Sequence, residues 1–504
     1  MARRLFVGVD VGTSVVKAVA LDERGREVGV RSDRVPLERP RPQHAEQDTG
    51  AVVAAVASVL RQLTSAVDGE VALVSVTGQG DGCWLVDADG RPVAPGITWM
   101  DGRSAAVVRR WQEDGTADRL ARSTGTSVFP GVQACLLAWL DEHDPGTLDR
   151  ATTAAYAKDV VFQALTGERC TDVSDASAVF GRPPGDGTED GATDGLATGY
   201  DPRLLRLCGL EHRAGLLAPV TAPVPCASSG PAAAQRFGLP SGTPVTAGPF
   251  DIPACEVGAG LVRPGDAVLV LGTALACSGP ARVAAGAALD RGGMLVRTPT
   301  PQGWSRMLPA MVGTPTLDWA LQLLRLGHED LDPLLRQSAG GSGGVRVLPH
   351  LSPSGERAPF VDTAATGQLL GVSLTTTPAD VLRAVCESLA HTARQCLEAL
   401  GATGEVVVCG GGVRSRTWLQ IIASTLGRPL RIASTAQVGA RGAVLAGLAA
   451  SGAGADVDAA AWPLLGETVD PVPELARRAD ESHALFLADQ AEARSRWRRE
   501  RGDG

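Results

Sequence analysis

Four short segments of this chain carry residue types able to hold phosphate and to take a hydroxyl proton. The first is DVGTSVVK, Asp10 to Lys17. A tight turn containing Gly12, Thr13 and Ser14 leaves backbone N–H groups pointing outward, and such a concavity holds phosphate oxygens. Asp10 beside it can hold a hydrated Mg2+, with Thr13, Ser14 and Lys17 in reach of the phosphates. Read alone, the segment is equally well a plain hairpin. The second is LGTALACSG, which puts Gly272 and Thr273 at an equivalent turn, and two such loops in one chain favour a nucleotide. The third is VVVCGGGVRS, residues 406–415, a strand, a glycine triplet and a helix start. The fourth is AGPFDIPA, which brackets Asp251 with Gly and Pro. A carboxylate there can accept a hydroxyl proton as that oxygen attacks phosphorus. By itself, a solvated or capping Asp is the commoner explanation.

The glycine triplet also raises a competing chemistry. A dinucleotide fingerprint needs an acidic residue about 20 positions on, after the next strand. That strand, LRIAS, ends in Ser434 and Thr435 with no Asp or Glu, so hydride transfer loses its discriminating residue. A glycine platform for adenine or ribose stays open. Neither lysine, Lys17 or Lys158, follows a glycine, which excludes a Walker-type loop.

The elements that must position these segments are legible in outline. Residues 4–11, 15–22 and 26–35 read as an antiparallel meander, followed by a helix over 50–66, a strand over 71–76 and the turn TGQGDG. A Gly/Asp/Thr-rich stretch at 181–200 reads as a surface loop. The second half opens as the first does, with strand, Gly-Thr turn and strand over 267–279. Helices over 314–326 and 378–400, a strand over 405–409, a helix over 415–427 and a charged helical tail follow. This echo predicts a duplicated α/β fold with a central cleft. The expected divisions are 1–250, 251–460 and a tail over 461–504.

Composition narrows the classes further. With 504 residues, 44% of them hydrophobic, the chain suits two domains. A net charge of -9 makes it a poor nucleic-acid binder. The ten cysteines show no C-x-x-C pair, which suits buried thiols in a reducing compartment. Asp10 interrupts the N-terminal apolar stretch, and no run approaches the roughly 18 apolar residues of a membrane span. A cytoplasmic protein with no membrane or nucleic-acid partner is expected. The 47 basic residues include just two lysines, which fits a GC-rich coding bias, or else a Lys17 standing where Arg does not fit.

Together these segments resemble the FGGY family of carbohydrate kinases, of the actin-like ATPase superfamily, from Phe6 to about Leu448. LPHLSPSGERAPFVDTAATGQLLGVSL, residues 348–374, is similar to the family's long C-terminal signature, and QVGARGAVLAG, residues 437–447, to a late helix. The resemblance implies two actin-like (ribonuclease-H-like) α/β domains with a central interdomain cleft, ATP and Mg2+ as cofactors, and a small sugar or polyol as substrate. It implies Asp251 as catalytic base and Asp10 as metal support through water. Gly12, Thr13, Ser14, Lys17, Gly272, Thr273 and Gly313 fall on the phosphate side, Gly411 and Ser415 on the nucleoside side. Gln79, Asp81 and Trp99, with Asp251, fall in the sugar pocket, and Asp81 is expected to display its carboxylate to vicinal hydroxyls. Glu46-Gln47-Asp48 matches an E-Q-D motif that lacks its usual following Trp, and Trp99, Asp101 and Arg103 match W-x-D-x-R. Ile252 stands where relatives more often carry a basic or amide residue, which with the Gly-Asp of TGQGDG leans toward the erythritol and L-xylulose branch, and the Asp81 carboxylate implies a neutral substrate. D-xylulokinase, glycerol kinase and a non-catalytic sugar-responsive regulator are the alternatives, and a homodimer is among the expected assemblies.

Overall fold

The computed structural model describes residues 3–178, 180–181, 199–283, 292–300 and 303–500. Most of the 181–200 stretch expected to be a surface loop lies outside the described residues. The chain divides into two compact units. The first comprises Met1–Val262, Pro280–Arg306 and Gln437–Pro463; the second comprises Arg263–Gly279, Met307–Ala436 and Leu464–Gly504.

In the first unit, the apolar run RLFVGVDV forms strand β1 (Arg4–Val11), buried along nearly all its length. The turn over residues 12–14 reverses the chain into β2 (Val15–Leu21), antiparallel to β1, with Val11 opposite Val16 and Asp10 opposite Lys17. Asp22 accepts the N–H groups of Arg24 and Arg26 at 2.9 and 3.0 Å. That local bonding builds the next turn and feeds antiparallel β3 (Glu27–Arg34). Strand β4 (Glu70–Gly78) lies parallel to β1. With β5 (Cys226–Ser228) and β6 (Pro244–Ala247), the sheet order is β3-β2-β1-β4-β6-β5.

One face of this sheet is covered by the helix Thr49–Ala66, whose Asp48 caps the Ala51 N–H at 3.0 Å. By length and composition it is the one helix among the described residues apolar enough to cross a membrane. Its buried stripe of Val52, Val56, Val59, Leu60 and Leu63 is instead spent on β2 and β3. The helix Val438–Ser451 packs on β1 and β4 of this unit. Glycine permits the approach: a Cβ on Gly8 would sit 2.4 Å from the Ala440 carbonyl oxygen. A Cβ on Gly442 would sit 1.8 Å from that of Ala254, so the same helix lies directly on the helix Asp251–Gly258.

The second unit repeats the hairpin opening. Strand β7 (Ala267–Leu271) pairs antiparallel with β8 (Leu275–Pro280) and parallel with β10 (Val406–Cys409), once β9 (Trp304–Ala310) has been placed beyond β8. Strands β11 (Leu430–Ala433) and β12 (Leu465–Val469) extend the sheet past β10. Its core gathers Leu269, Leu271, Leu389, Ile422 and Trp418, contributed by the strands and by the helices Pro378–Leu400 and Arg416–Leu426.

Candidate active site

The first Gly-Thr turn is tied into a buried polar network. The Thr13 hydroxyl accepts the Trp99 indole N–H at 3.0 Å and donates to Gln79 Oε1 at 3.2 Å. Gln79 Nε2 donates to Gln47 Oε1 at 2.7 Å, and Gln47 Nε2 returns to the Thr13 carbonyl at 2.9 Å. So residues expected on the phosphate side and on the sugar side, Thr13 with Gln79 and Trp99, share one set of hydrogen bonds. Gly12 is confined as well, since a Cβ there would meet the Val15 carbonyl oxygen at 2.8 Å.

A second network is built just after Trp99 in the chain. Arg103 donates to Asp101 Oδ1 at 2.8 Å and to Glu46 Oε1 at 2.5 Å, while Asp101 Oδ2 accepts the Ala45 N–H at 2.6 Å. The Arg103 guanidinium sits 5.4 Å above the Trp139 ring. E-Q-D and W-x-D-x-R therefore read as a scaffold in which Glu46 pairs Arg103, Gln47 holds the turn and Asp48 caps a helix. Gly131 packs on Trp99, where a Cβ would sit 1.9 Å from its carbonyl oxygen.

Asp10 faces Lys17 across the hairpin. Its Oδ1 is buried and has no hydrogen-bond partner among the described residues. Burial pushes this carboxyl above its usual range, and Lys17 opposes the shift. Ser14 is exposed at the tip of the turn.

Asp251 is the first residue of its helix, and its Oδ1 accepts the Ile252 N–H at 2.8 Å. The segment before it is fastened on two sides. Thr77 at the end of β4 donates to the Pro249 carbonyl at 2.7 Å, and Phe250 N–H donates to Ser174 Oγ at 3.2 Å. The Phe250 ring in turn lies where a Cβ on Gly80 would be, at 2.6 Å.

Asp81 departs from its expected display. It is 7% exposed and takes φ +56 between Gly80 and Gly82. Its charge contributes to raising the Cys135 thiol and the Tyr156 phenol, so its carboxylate lies near both of these buried groups. The physical reason is the left-handed turn, which directs the side chain inward.

In the second unit, Gly313 lies against the second Gly-Thr turn. A Cβ on it would sit 2.5 Å from the Thr273 carbonyl oxygen and 2.7 Å from that of Gly272. The Thr314 N–H and hydroxyl both donate to the Gly272 carbonyl, at 2.8 and 3.0 Å. Gly410 and Gly412 press on Leu271 from the other side, and Gly411 between them has open space around its Cα. Ser415 is occupied: it caps the Trp418 N–H at 3.1 Å and donates to Asp332 Oδ1 at 2.5 Å. The long signature reaches the segment leading into Gly313 through Glu356, whose Oε1 accepts the Met311 N–H at 2.7 Å.

Sequence reasoning passed over several residues. Thr77 and Ser174 carry no motif, and their contacts with the Asp251 segment come from the strand Glu70–Gly78 and the short helix Val173–Ala176, both distant in sequence. The run Gly340 to Gly344 satisfies G-x-S-x-G by its letters. A nucleophile elbow needs an exposed serine between strand and helix. Ser342 is instead fully buried in a one-turn helix and bonded to Glu387 at 2.8 Å.

Comparison with known proteins adds independent findings. Residues 5–258 match the model of the FGGY family of carbohydrate kinases, N-terminal domain, and residues 310–451 that of its C-terminal domain. The chain is 31% identical to an erythritol kinase of Brucella abortus, covering 96% of this chain and 95% of the relative. It is 29% identical to a xylulose kinase of Escherichia coli, over 86% and 87%. A solved xylulose kinase from Rhodospirillum rubrum superposes with a TM-score of 0.78 at 27% identity, covering 98% of this chain and all of the other.

Proposed function

Because the chain belongs to the FGGY family of carbohydrate kinases, we propose that Asp251 is the base that takes the acceptor's hydroxyl proton. The fold is the two-domain α/β arrangement of actin-like sugar kinases, and the activity is ATP-dependent phosphorylation of a polyol or ketopentose. Supporting the assignment of the base is one observation: Asp251 opens a helix on a segment pinned from both sides by Thr77 and Ser174. A base must be held within hydrogen-bond reach of its proton, and such fastening supplies that fixity.

The remaining roles follow from the same geometry. The Asp10 carboxylate has a buried oxygen without a partner among the described residues, and a hard oxygen donor of this kind suits Mg2+ held through water together with substrate phosphates. Bound MgATP would supply the transferred phosphoryl group and the cationic charge that offsets it. Lys17 and the hairpin amides near Gly12 face the phosphates, and the Thr13 hydroxyl ties that turn to Trp99 and Gln79. In the second unit, Gly272, Thr273 and Gly313 form the other phosphate-holding turn, with Gly411 at the nucleoside.

The substrate is a neutral polyol or ketose of four or five carbons, erythritol-like first and a ketopentose second. The Asp81 carboxylate, enclosed near the Tyr156 phenol, accepts hydrogen bonds from substrate hydroxyls and repels a sugar acid. A coupled ADP-release screen over tetritols, pentitols, ketopentoses, glycerol and gluconate tests this. The highest kcat/KM should fall on a neutral C4 or C5 compound, and efficient turnover of gluconate would overturn the charge argument.

A further inference from the structure

The chain holds two lysines against 45 arginines (47 basic residues less 2). Lys17 lies in the first phosphate turn. Lys158 is fully buried, with Nζ 2.6 Å from Asp159 Oδ1, 3.0 Å from Asp172 Oδ1 and 2.9 Å from Asp175 Oδ2. A compact ammonium can sit among three carboxylates in this way, whereas the broad planar guanidinium cannot. That gives a reason for lysine in a chain that otherwise uses arginine. Buried charge clusters are poor sources of stability, so this one calls for another role. Burial drives the Asp175 carboxyl well above its usual range, with Lys158 opposing, and the Asp159 carboxyl upward likewise.

Contacts run from the cluster to the Asp251 segment. Asp172 Oδ2 accepts the Ser174 N–H at 3.0 Å, and its carboxyl carbon lies 2.6 Å from where a Cβ on Gly248 would be. Ser174 Oγ then accepts the N–H of Phe250, the residue before Asp251. The acidic turn thus bears on both ends of Gly248–Pro249–Phe250, opposite the hold of Thr77.

We propose that Lys158 is a positioning residue for phosphoryl transfer: by gathering Asp159, Asp172 and Asp175 it fixes the turn through which Ser174 aims Asp251. The inference rests on Asp251 being the base, and the experiment separates the two. Wild type, Lys158→Met, Lys158→Arg, Ser174→Ala and Asp251→Asn are compared by circular dichroism and by steady-state kinetics with MgATP and the best acceptor. Folded Lys158→Met and Ser174→Ala should lose about 10-fold or more in kcat, because small misplacements of a reacting group are costly. KM for acceptor and MgATP should stay within about 3-fold, since the contacts to each ligand remain. Lys158→Arg should fail to restore kcat. Should kcat in both folded variants stay near wild type, or KM alone rise, while Asp251→Asn is inactive, the positioning role is overturned and the base stands. An active Asp251→Asn overturns the base and the inference with it. If Lys158→Met does not fold, Ser174→Ala decides alone, since it leaves all four charged groups in place.

Discussion

Replacing Thr13 by valine keeps the side-chain shape and removes one hydroxyl. The structure says what that hydroxyl does: it receives the Trp99 indole N–H at 3.0 Å and gives its own proton to Gln79 Oε1 at 3.2 Å, in a residue only 7% exposed. The valine leaves a buried donor and a buried acceptor unsatisfied. Each such group costs about 1–3 kcal/mol, so roughly 2–6 kcal/mol is expected for the two. At about 2–4 °C per kcal/mol the melting temperature should fall by roughly 4 °C or more. The acceptor KM should rise with it, because Trp99 and Gln79 lose their common anchor. Differential scanning calorimetry with Thr13→Val, Trp99→Phe and the double variant measures the coupling. The double variant should be less damaging than the sum of the singles by about 1 kcal/mol. Additive losses, or a Thr13→Val melting temperature equal to wild type, would show that the Thr13–Trp99–Gln79 link carries no energy.

Further outcomes follow from other parts of the molecule. Gly313→Ala would drive a Cβ into the Thr273 and Gly272 carbonyl oxygens at 2.5 and 2.7 Å. MgATP affinity by calorimetry should fall by about 10-fold, at the scale of one lost phosphate hydrogen bond, with acceptor affinity unchanged; unaltered nucleotide binding would contradict the assignment of that turn. Arg103→Met leaves the fully buried Asp101 and the partly buried Glu46 without their cation and should cost about 3–5 kcal/mol by urea unfolding, a near-wild-type midpoint being the contrary result. His391 is carried by burial, with His483 adding to it, from 6.5 down to about 3. The unfolded chain therefore binds that proton first, so stability is complete above pH 6.5 and drains as pH falls toward about 3. At about pH 5 the loss reaches at most about 2 kcal/mol, and His391→Leu should flatten that slope, whereas an unchanged slope would place the titration elsewhere.

Much of the framework was legible because it rests on local chemistry. Apolar runs closed by Gly-rich turns mark β1, β2 and the β7–β8 hairpin, and apolar density over 50–66 marks the helix Thr49–Ala66. The long-range arrangement was not legible. Nothing local says that the helix Val438–Ser451 packs on β1 and on the helix Asp251–Gly258, since that depends on Gly8 and Gly442 meeting backbone from distant segments. The inward turn of Asp81 depends on φ +56, a conformation that a Gly-flanked Asp allows without announcing. Lys158 had one signal available, its rarity. Its meaning appears only when Asp172 and Asp175, on a separate turn, come within 3.0 and 2.9 Å.

The central claim is that Asp251 takes the acceptor proton, and Asp251→Asn tests it most directly. The amide keeps the shape and can still accept the Ile252 N–H, so folding and MgATP binding by calorimetry should match wild type. ADP release with the best polyol or ketose acceptor should fall by about 10²-fold or more in kcat, the scale expected for losing a general base. A folded, nucleotide-binding Asp251→Asn that keeps more than about a tenth of wild-type kcat would contradict the account.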